Sequence, residues 1–357
     1  MVKRRVDGQR MLVVSLDAVG SRDLEYMRSL PNFKRIWDRS AYCDHVKSVY
    51  PSITYPAHSS IVTGMKPGRH GVVNNIRLQP KRSGKEDWLW QRKYINVTTI
   101  YDQARKNGWT TAALLWPVTA QSKIKYCVPE IFPNRAWQNQ VMISALNGPI
   151  PYQIELLKKF GHLLDGVKQP NLDNFVTEAA EYTIRKYNPD LFLIHLTDVD
   201  THRHNHGLDA PKVQEAMQRH DIRLGRFLKA LEETGDMEKT TVVVLGDHCQ
   251  MDTHTAVYPN YYFYKDALLR AEDAGKIADY DFYAQHCDGA CYIYPSHKTA
   301  KILKMGAGKE RQELMVRLRE CLNKIPKEMM KRVITRKEAE QLGADGNCVC
   351  MLEAMPG

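Results

Sequence analysis

Thr54 presents a hydroxyl in the segment Ser52-Ile53-Thr54-Tyr55-Pro56-Ala57-His58, where Pro56 fixes its own backbone angle and restricts the residue before it. A free threonine hydroxyl is a poor nucleophile until a base or a metal draws off its proton. Acids and imidazoles elsewhere in the chain suit that task. Asp17 ends the apolar run 11–16, Asp200 and His204 follow the run 191–196, and Asp247-His248 follow the run 241–245. Carboxylate oxygens and imidazole nitrogens together are donors that a divalent cation such as zinc accepts. Read singly, each residue has a plainer role: Asp17 would cap a helix start and Thr54 a turn.

These groups need elements to carry them. Short Val- and Leu-rich runs that end in an acid read as buried parallel strands with the acid at the carboxyl end, and residues 110–115 form a fourth run of the kind. Helical patterns lie between them at 97–106, 174–187 and 212–233, stopped by Gly108, Asn188-Pro189 and Gly235. Strands alternating with helices predict an α/β fold: a mostly parallel sheet with helices on both faces. Ligands of such sheets bind beyond the carboxyl ends of the strands, where Asp17, Asp200 and Asp247 would meet. Residues 1–251 are expected to form this core. Residues 252–339, with the aromatic run 258–264, a helix after it, a strand at 290–294 and a helix at 310–323, read as a smaller accessory lobe. The strand-like segment 340–357 is expected to return to the core.

Composition narrows the function classes. The 357 residues carry a net charge of +10, which steers anionic substrates as readily as it binds nucleic acid. Lys and Arg are scattered, with small clusters at Lys3-Arg4-Arg5 and Lys331-Arg332; without a basic, aromatic-interleaved stripe, no stable nucleic-acid complex is expected. The apolar runs are far too short to span a bilayer, so no membrane partner is expected. The basic N-terminus leads into no leader-length apolar region. Together with eight cysteines in no CxxC framework, this predicts reduced thiols and a cytoplasmic location. Cys348-x-Cys350 reads as two strand residues on one face, not a metal pair.

With those elements in place, Thr54-Tyr-Pro-Ala-His-Ser-Ser-Ile-Val-Thr-Gly through His70-Gly-Val-Val-Asn-Asn75 resembles the nucleophile segment of the nucleotide pyrophosphatase/phosphodiesterase (type I phosphodiesterase) family of the alkaline phosphatase superfamily. Asp17, the Asp200-x-x-x-His204-x-x-Gly207 pair and Gly246-Asp247-His248 resemble its metal-ligand motifs, in the family order. The resemblance implies an alkaline-phosphatase-like fold and a hydrolase of phosphate diesters or nucleotide pyrophosphate bonds, working through a phosphothreonine on Thr54. It implies two divalent cations, zinc by donor type. Asp17, Thr54, Asp247 and His248 would hold the first, and Asp200, His204 and one further histidine the second. It gives Asn75 the role of donating to a phosphoryl oxygen, helped by a backbone N–H near Thr54. Tyr55 takes a position where a ring can stack on a nucleobase, with Trp116 lining the same cleft. The expected partner is a small phosphorylated substrate such as a nucleotide; oligomeric state is left open.

The chain also departs from that pattern. Cys249 stands where the family has glycine, and no late His-Gly segment supplies the last histidine, with His254 and His286 as substitutes lacking its context. The second metal site is therefore expected to be incomplete. Asp198 and His202 share the Asp200–His204 spacing, with Gly207 favouring the latter pair; Asn74 competes with Asn75; and His195, His206 and His220 read as surface or packing residues. A phosphomonoesterase or phosphonate hydrolase of the same superfamily, or a degenerate nucleotide-binding protein, remains as an alternative. The segment lacks the Cys/Ser-x-Pro-x-Arg arrangement of sulfatases.

Overall fold

The computed structural model describes residues 9–272, 276–304 and 308–357; the basic cluster at 3–5 lies outside them. Five strands form the main sheet: β1 (Arg10–Leu16), β2 (Thr111–Leu114), β3 (Tyr126–Val128), β4 (Leu191–Leu196) and β5 (Thr240–Gly246), in the order β3-β2-β4-β1-β5. Every pairing is parallel. Alternate residues fill the two faces. Leu12, Val14 and Leu16 join Phe192, Ile194 and the helices Asn171–Tyr187 and Pro211–Glu233 on one face. Val13, Ala113 and Leu193 meet Val62, Tyr101 and Trp116 on the other. Helices on both faces explain why the strands read as continuous apolar runs instead of alternating ones. No described helix is long and apolar enough to cross a membrane.

The register aligns the strand ends. Leu16 pairs with Leu196 on one side and with Gly246 on the other, so Asp17, Thr197 and Asp247 leave the sheet side by side. Gly246 is required there, because a Cβ would come within 1.7 Å of the Val19 carbonyl oxygen.

A short antiparallel pair, β6 (Leu269–Ala271) and β7 (Ile277–Tyr280), precedes a second sheet of β8 (Phe282–His286), β9 (Ala290–Pro295), β10 (Met330–Thr335) and β11 (Cys350–Ala354), ordered β10-β11-β9-β8. The aromatic run is itself the helix Pro259–Lys265, and these strands replace the helix expected after it. The C-terminal strand corrects a second expectation. β11 does not rejoin the main sheet but runs antiparallel between β9 and β10. Cys350 and Leu352 face one apolar cluster, with the helix Lys309–Leu322, while Met351 faces another. A strand buried on both faces belongs inside a sheet. Cys348 precedes that strand and lies in the opposite cluster from Cys350, so the two thiols do not share a strand face.

The second sheet also backs the Thr54 segment. Its cluster of Tyr292, Tyr294 and Met351 includes Ile53, next to Thr54 in sequence. Asn74 Nδ2 donates to the His286 carbonyl at 2.8 Å, and the Gly68 N–H donates to Gly343 at 2.8 Å.

Candidate active site

Thr54 opens the helix Thr54–Thr63, which follows extended Ile53 and ends at Gly64 in the left-handed conformation. The positive dipole end of that helix, at Thr54, favours an anion there. Thr54 Oγ1 lies 3.1 Å from His248 Nε2. The same nitrogen is 3.3 Å from Asp17 Oδ1 and 3.3 Å from Asp247 Oδ2. Asp17, Asp200 and His248 bring ligand atoms within 4.8 Å of one another, the only such group of three among the described residues. Asp17 Oδ1 and Asp247 Oδ2 are buried and make no hydrogen bond. Two orphaned carboxylate oxygens facing one imidazole nitrogen and a hydroxyl fit a divalent cation.

Backbone geometry at the strand ends sets these oxygens in place. The Asp17 N–H donates to Leu196, and Ala18 adopts φ 61° so that its N–H reaches Asp247 Oδ1 at 3.2 Å. A non-glycine residue in the left-handed region is strained; here the strain turns the chain directly after Asp17.

The charges are strongly coupled. Burial opposes ionisation of Asp17, yet the hydrogen bond from His195 and the positive potential of His195 and His248 hold its carboxyl well below the usual range. Burial and the Asp17 charge push Asp247 up to about 7, and the same causes raise Asp200. Burial opposes protonation of His248, but Asp247, Asp17 and Asp200 raise its pKa. Cation binding therefore needs protons to leave both Asp247 and His248. A group raised to about 7 is mostly protonated at pH 6 and mostly ionised at pH 8, so cation affinity falls as pH drops through 7. Zinc titration of the metal-free protein is expected to give roughly tenfold weaker apparent binding at pH 6 than at pH 8, with proton release on binding.

Other expected residues lie at varying distance from this centre. Asp200 and His204 both line the open cleft of about 2030 Å³ above the strand ends. Gln250 Nε2 donates to Asp200 Oδ1 at 2.5 Å, and His204 Nε2 lies 3.3 Å from the same oxygen with its side chain 69% exposed. His204 thus stands at the rim, tied to the cluster through Asp200. Asp198 is turned away: Arg219 and Arg223 bind it at 2.7 Å beneath the surface, and His202 sits 3.3 Å from it. Asn75 lines the cleft, and its Oδ1 accepts from the Tyr55 N–H at 2.8 Å. That leaves the Asn75 Nδ2 as the donor toward the cleft, and it takes up the Tyr55 N–H, one of the backbone donors near Thr54. Asn74 instead secures the second sheet.

Two expectations fail. Tyr55 is fully buried, with its hydroxyl donating to Glu130 Oε1 at 3.3 Å, so its ring offers no face for stacking. Trp116 is also fully buried, packed edge-on against His58 in the core beneath the sheet. Among the aromatic residues that do line the cleft, Trp88 and Phe132 are in mutual edge contact at 5.1 Å, with Trp88 against Tyr55.

Two groups beneath the cluster went unrecognised in the sequence. His58 lies 2.8 Å from the Thr54 carbonyl through Nδ1 and 2.9 Å from Ser15 Oγ through Nε2, holding the first turn of the Thr54 helix. Burial and neighbouring His195 keep it neutral. His195, read as a packing residue, is indeed buried, but its Nε2 lies 3.1 Å from Asp17 Oδ2 and its Nδ1 3.4 Å from Glu130 Oε2. A lone polar residue inside a continuous apolar strand was the available signal, since buried polar groups find partners.

Comparison with known proteins shows the family and the fold. The family model described as type I phosphodiesterase/nucleotide pyrophosphatase matches residues 11–341. Ectonucleotide pyrophosphatase/phosphodiesterase family member 1 of Rattus norvegicus is 24% identical over 250 residues, covering 66% of this chain and 23% of the rat protein. The chain thus spans about a quarter of that relative's length. Among solved structures, an inactive form of murine ectonucleotide pyrophosphatase/phosphodiesterase 5 in complex with AMP superposes with a TM-score of 0.62 at 19% identity, over 98% of this chain and 79% of that one. Phosphonoacetate hydrolase from Sinorhizobium meliloti, in complex with phosphonoformate, gives 0.64 at 19% identity, over 98% and 81%. The fold is that of these proteins, and the chain belongs to the type I phosphodiesterase/nucleotide pyrophosphatase family.

Proposed function

We propose that the protein hydrolyses phosphate diesters or nucleotide pyrophosphate bonds, with Thr54 as nucleophile. The observation that carries this reading is the approach of Thr54 Oγ1 to His248 Nε2 at 3.1 Å, beside the orphaned oxygens of Asp17 and Asp247. Asp17, Asp200, Asp247 and His248 would hold the cation, zinc by donor type. When bound there, it would favour ionisation of the threonine hydroxyl and offset charge on the phosphoryl group.

The chain's own groups do the rest. The helix N-terminus and His58 fix Thr54 at the cleft floor. Its oxygen attacks phosphorus, the P–O bond to the leaving group breaks, and a phosphothreonine remains for water to cleave. Asn75 Nδ2 donates to a phosphoryl oxygen. Asn75→Ala is expected to lower kcat about 100- to 1000-fold, the usual effect of losing one such donor, as measured by steady-state hydrolysis of bis(p-nitrophenyl) phosphate. A nucleotide substrate is supported by the AMP complex of the murine neighbour. A cytoplasmic location is part of the proposal, supported by eight free thiols.

The exposure of His204 and the absence of a second three-ligand group among the described residues favour one rival, a binding protein that holds a single cation. The test is hydrolysis of bis(p-nitrophenyl) phosphate, p-nitrophenyl phosphate and phosphonoacetate with added zinc or manganese, beside zinc stoichiometry. Diester turnover above monoester and phosphonate supports the proposal. Nucleotide binding without turnover of any of them supports the rival.

A further inference from the structure

We infer that His195 and Glu130 form a buried brace that fixes the orientation of the Asp17 carboxylate and thereby sets the cation affinity of the cluster; the inference rests on the cation-dependent reading above. His195 sits on β4 opposite Ser15 of β1, so its fully buried ring comes up beneath Asp17. Its Nε2 lies 3.1 Å from Asp17 Oδ2. Its Nδ1 lies 3.2 Å from the Leu115 carbonyl and 3.4 Å from Glu130 Oε2. Every one of these neighbours is an oxygen acceptor, so both edges of the ring act as donors, and turning the ring over would present carbon to them.

Leu115 is held for this purpose. It adopts φ 51°, and its N–H is bound by Val128 at 2.8 Å. Glu130 is fixed in turn, since its Oε1 accepts from Tyr55, the residue after Thr54. The brace therefore starts next to the nucleophile, passes under the sheet end and stops at one oxygen of Asp17. The other oxygen, Oδ1, is left without a hydrogen bond, 3.3 Å from His248 Nε2. Without His195, the carboxylate is free to rotate about its last bond, and that oxygen loses its direction. Groups that orient a ligand in this way typically contribute 10- to 100-fold to metal affinity.

The inference is tested by calorimetric zinc titration of the metal-free wild type, His195→Gln and Glu130→Gln, with the thermal midpoint of each metal-free protein alongside. His195→Gln is expected to bind zinc about 10- to 100-fold more weakly, and excess zinc should restore its kcat toward wild type. Glu130→Gln, which keeps the side chain's volume, is expected to lose about threefold or more in affinity at an unchanged metal-free midpoint. A merely space-filling pair would lower the midpoint and leave affinity alone. Wild-type binding with affinities within twofold in the folded variants overturns the brace while leaving the cation reading intact; if His195→Gln does not fold, Glu130→Gln alone decides. A wild type that binds no zinc overturns both.

Discussion

Thr54→Ala is expected to lower diester hydrolysis by roughly three orders of magnitude or more, with zinc affinity reduced far less. The hydroxyl approaches His248 at 3.1 Å, and Ile53 and the helix after it are held by other contacts. The Thr54 carbonyl still meets His58, so the turn keeps its anchor. The measurement is a steady-state rate on bis(p-nitrophenyl) phosphate at saturating zinc, with bound zinc counted in both proteins. Equal rates in variant and wild type would remove Thr54 from the chemistry and leave the cluster as a binding site.

Asp17→Asn has the second large effect, and it acts through the cation. The substitution keeps shape but removes the charge to which His195 and His248 are both drawn. It also places a neutral amide where the orphaned oxygen stood. Zinc affinity is expected to fall by about 100-fold or more and hydrolysis by roughly 1000-fold, read by calorimetry and by rate at fixed zinc. Because Asp17 contributes to the raised pKa of Asp247, the variant should also bind what zinc it can with a pH dependence shifted to lower pH. Undiminished zinc binding in Asp17→Asn would show that the cation is held elsewhere.

Much of the main sheet could be read from the chain, because a parallel strand covered on both faces leaves an uninterrupted apolar run. β1, β2, β4 and β5 all announced themselves that way, and the acids after three of them marked the ligand-binding end. The long helices did so by periodicity and by their stop residues. β3 escaped because three residues are too few to show a pattern. The second sheet was harder. Its strands carry Tyr, Cys and Met on both faces, and nothing local tells whether such a strand joins the first sheet or the second.

At the site, the candidate ligands were legible because each follows a strand, whereas their supports were not. His195 sits in the middle of Leu-Phe-Leu-Ile-His-Leu, and only the pairing of β4 with β1 puts it under Asp17. Glu130 reaches the same place from a loop that no periodicity describes. Tyr55 and Trp116 misled for the opposite reason. An aromatic ring near a nucleophile suits a wall or a core equally well, and the burial of both rings decided for the core.

The second sheet lends one face to its own helices and the other to Tyr50, Ile53 and Val73. It is therefore not a detachable module. A chimera that exchanged residues 282–354 for the equivalent part of a relative would also replace the wall behind Thr54. Engineering altered selectivity by grafting would need residues 50–75 transplanted with it, so the two stretches should be inherited as one unit.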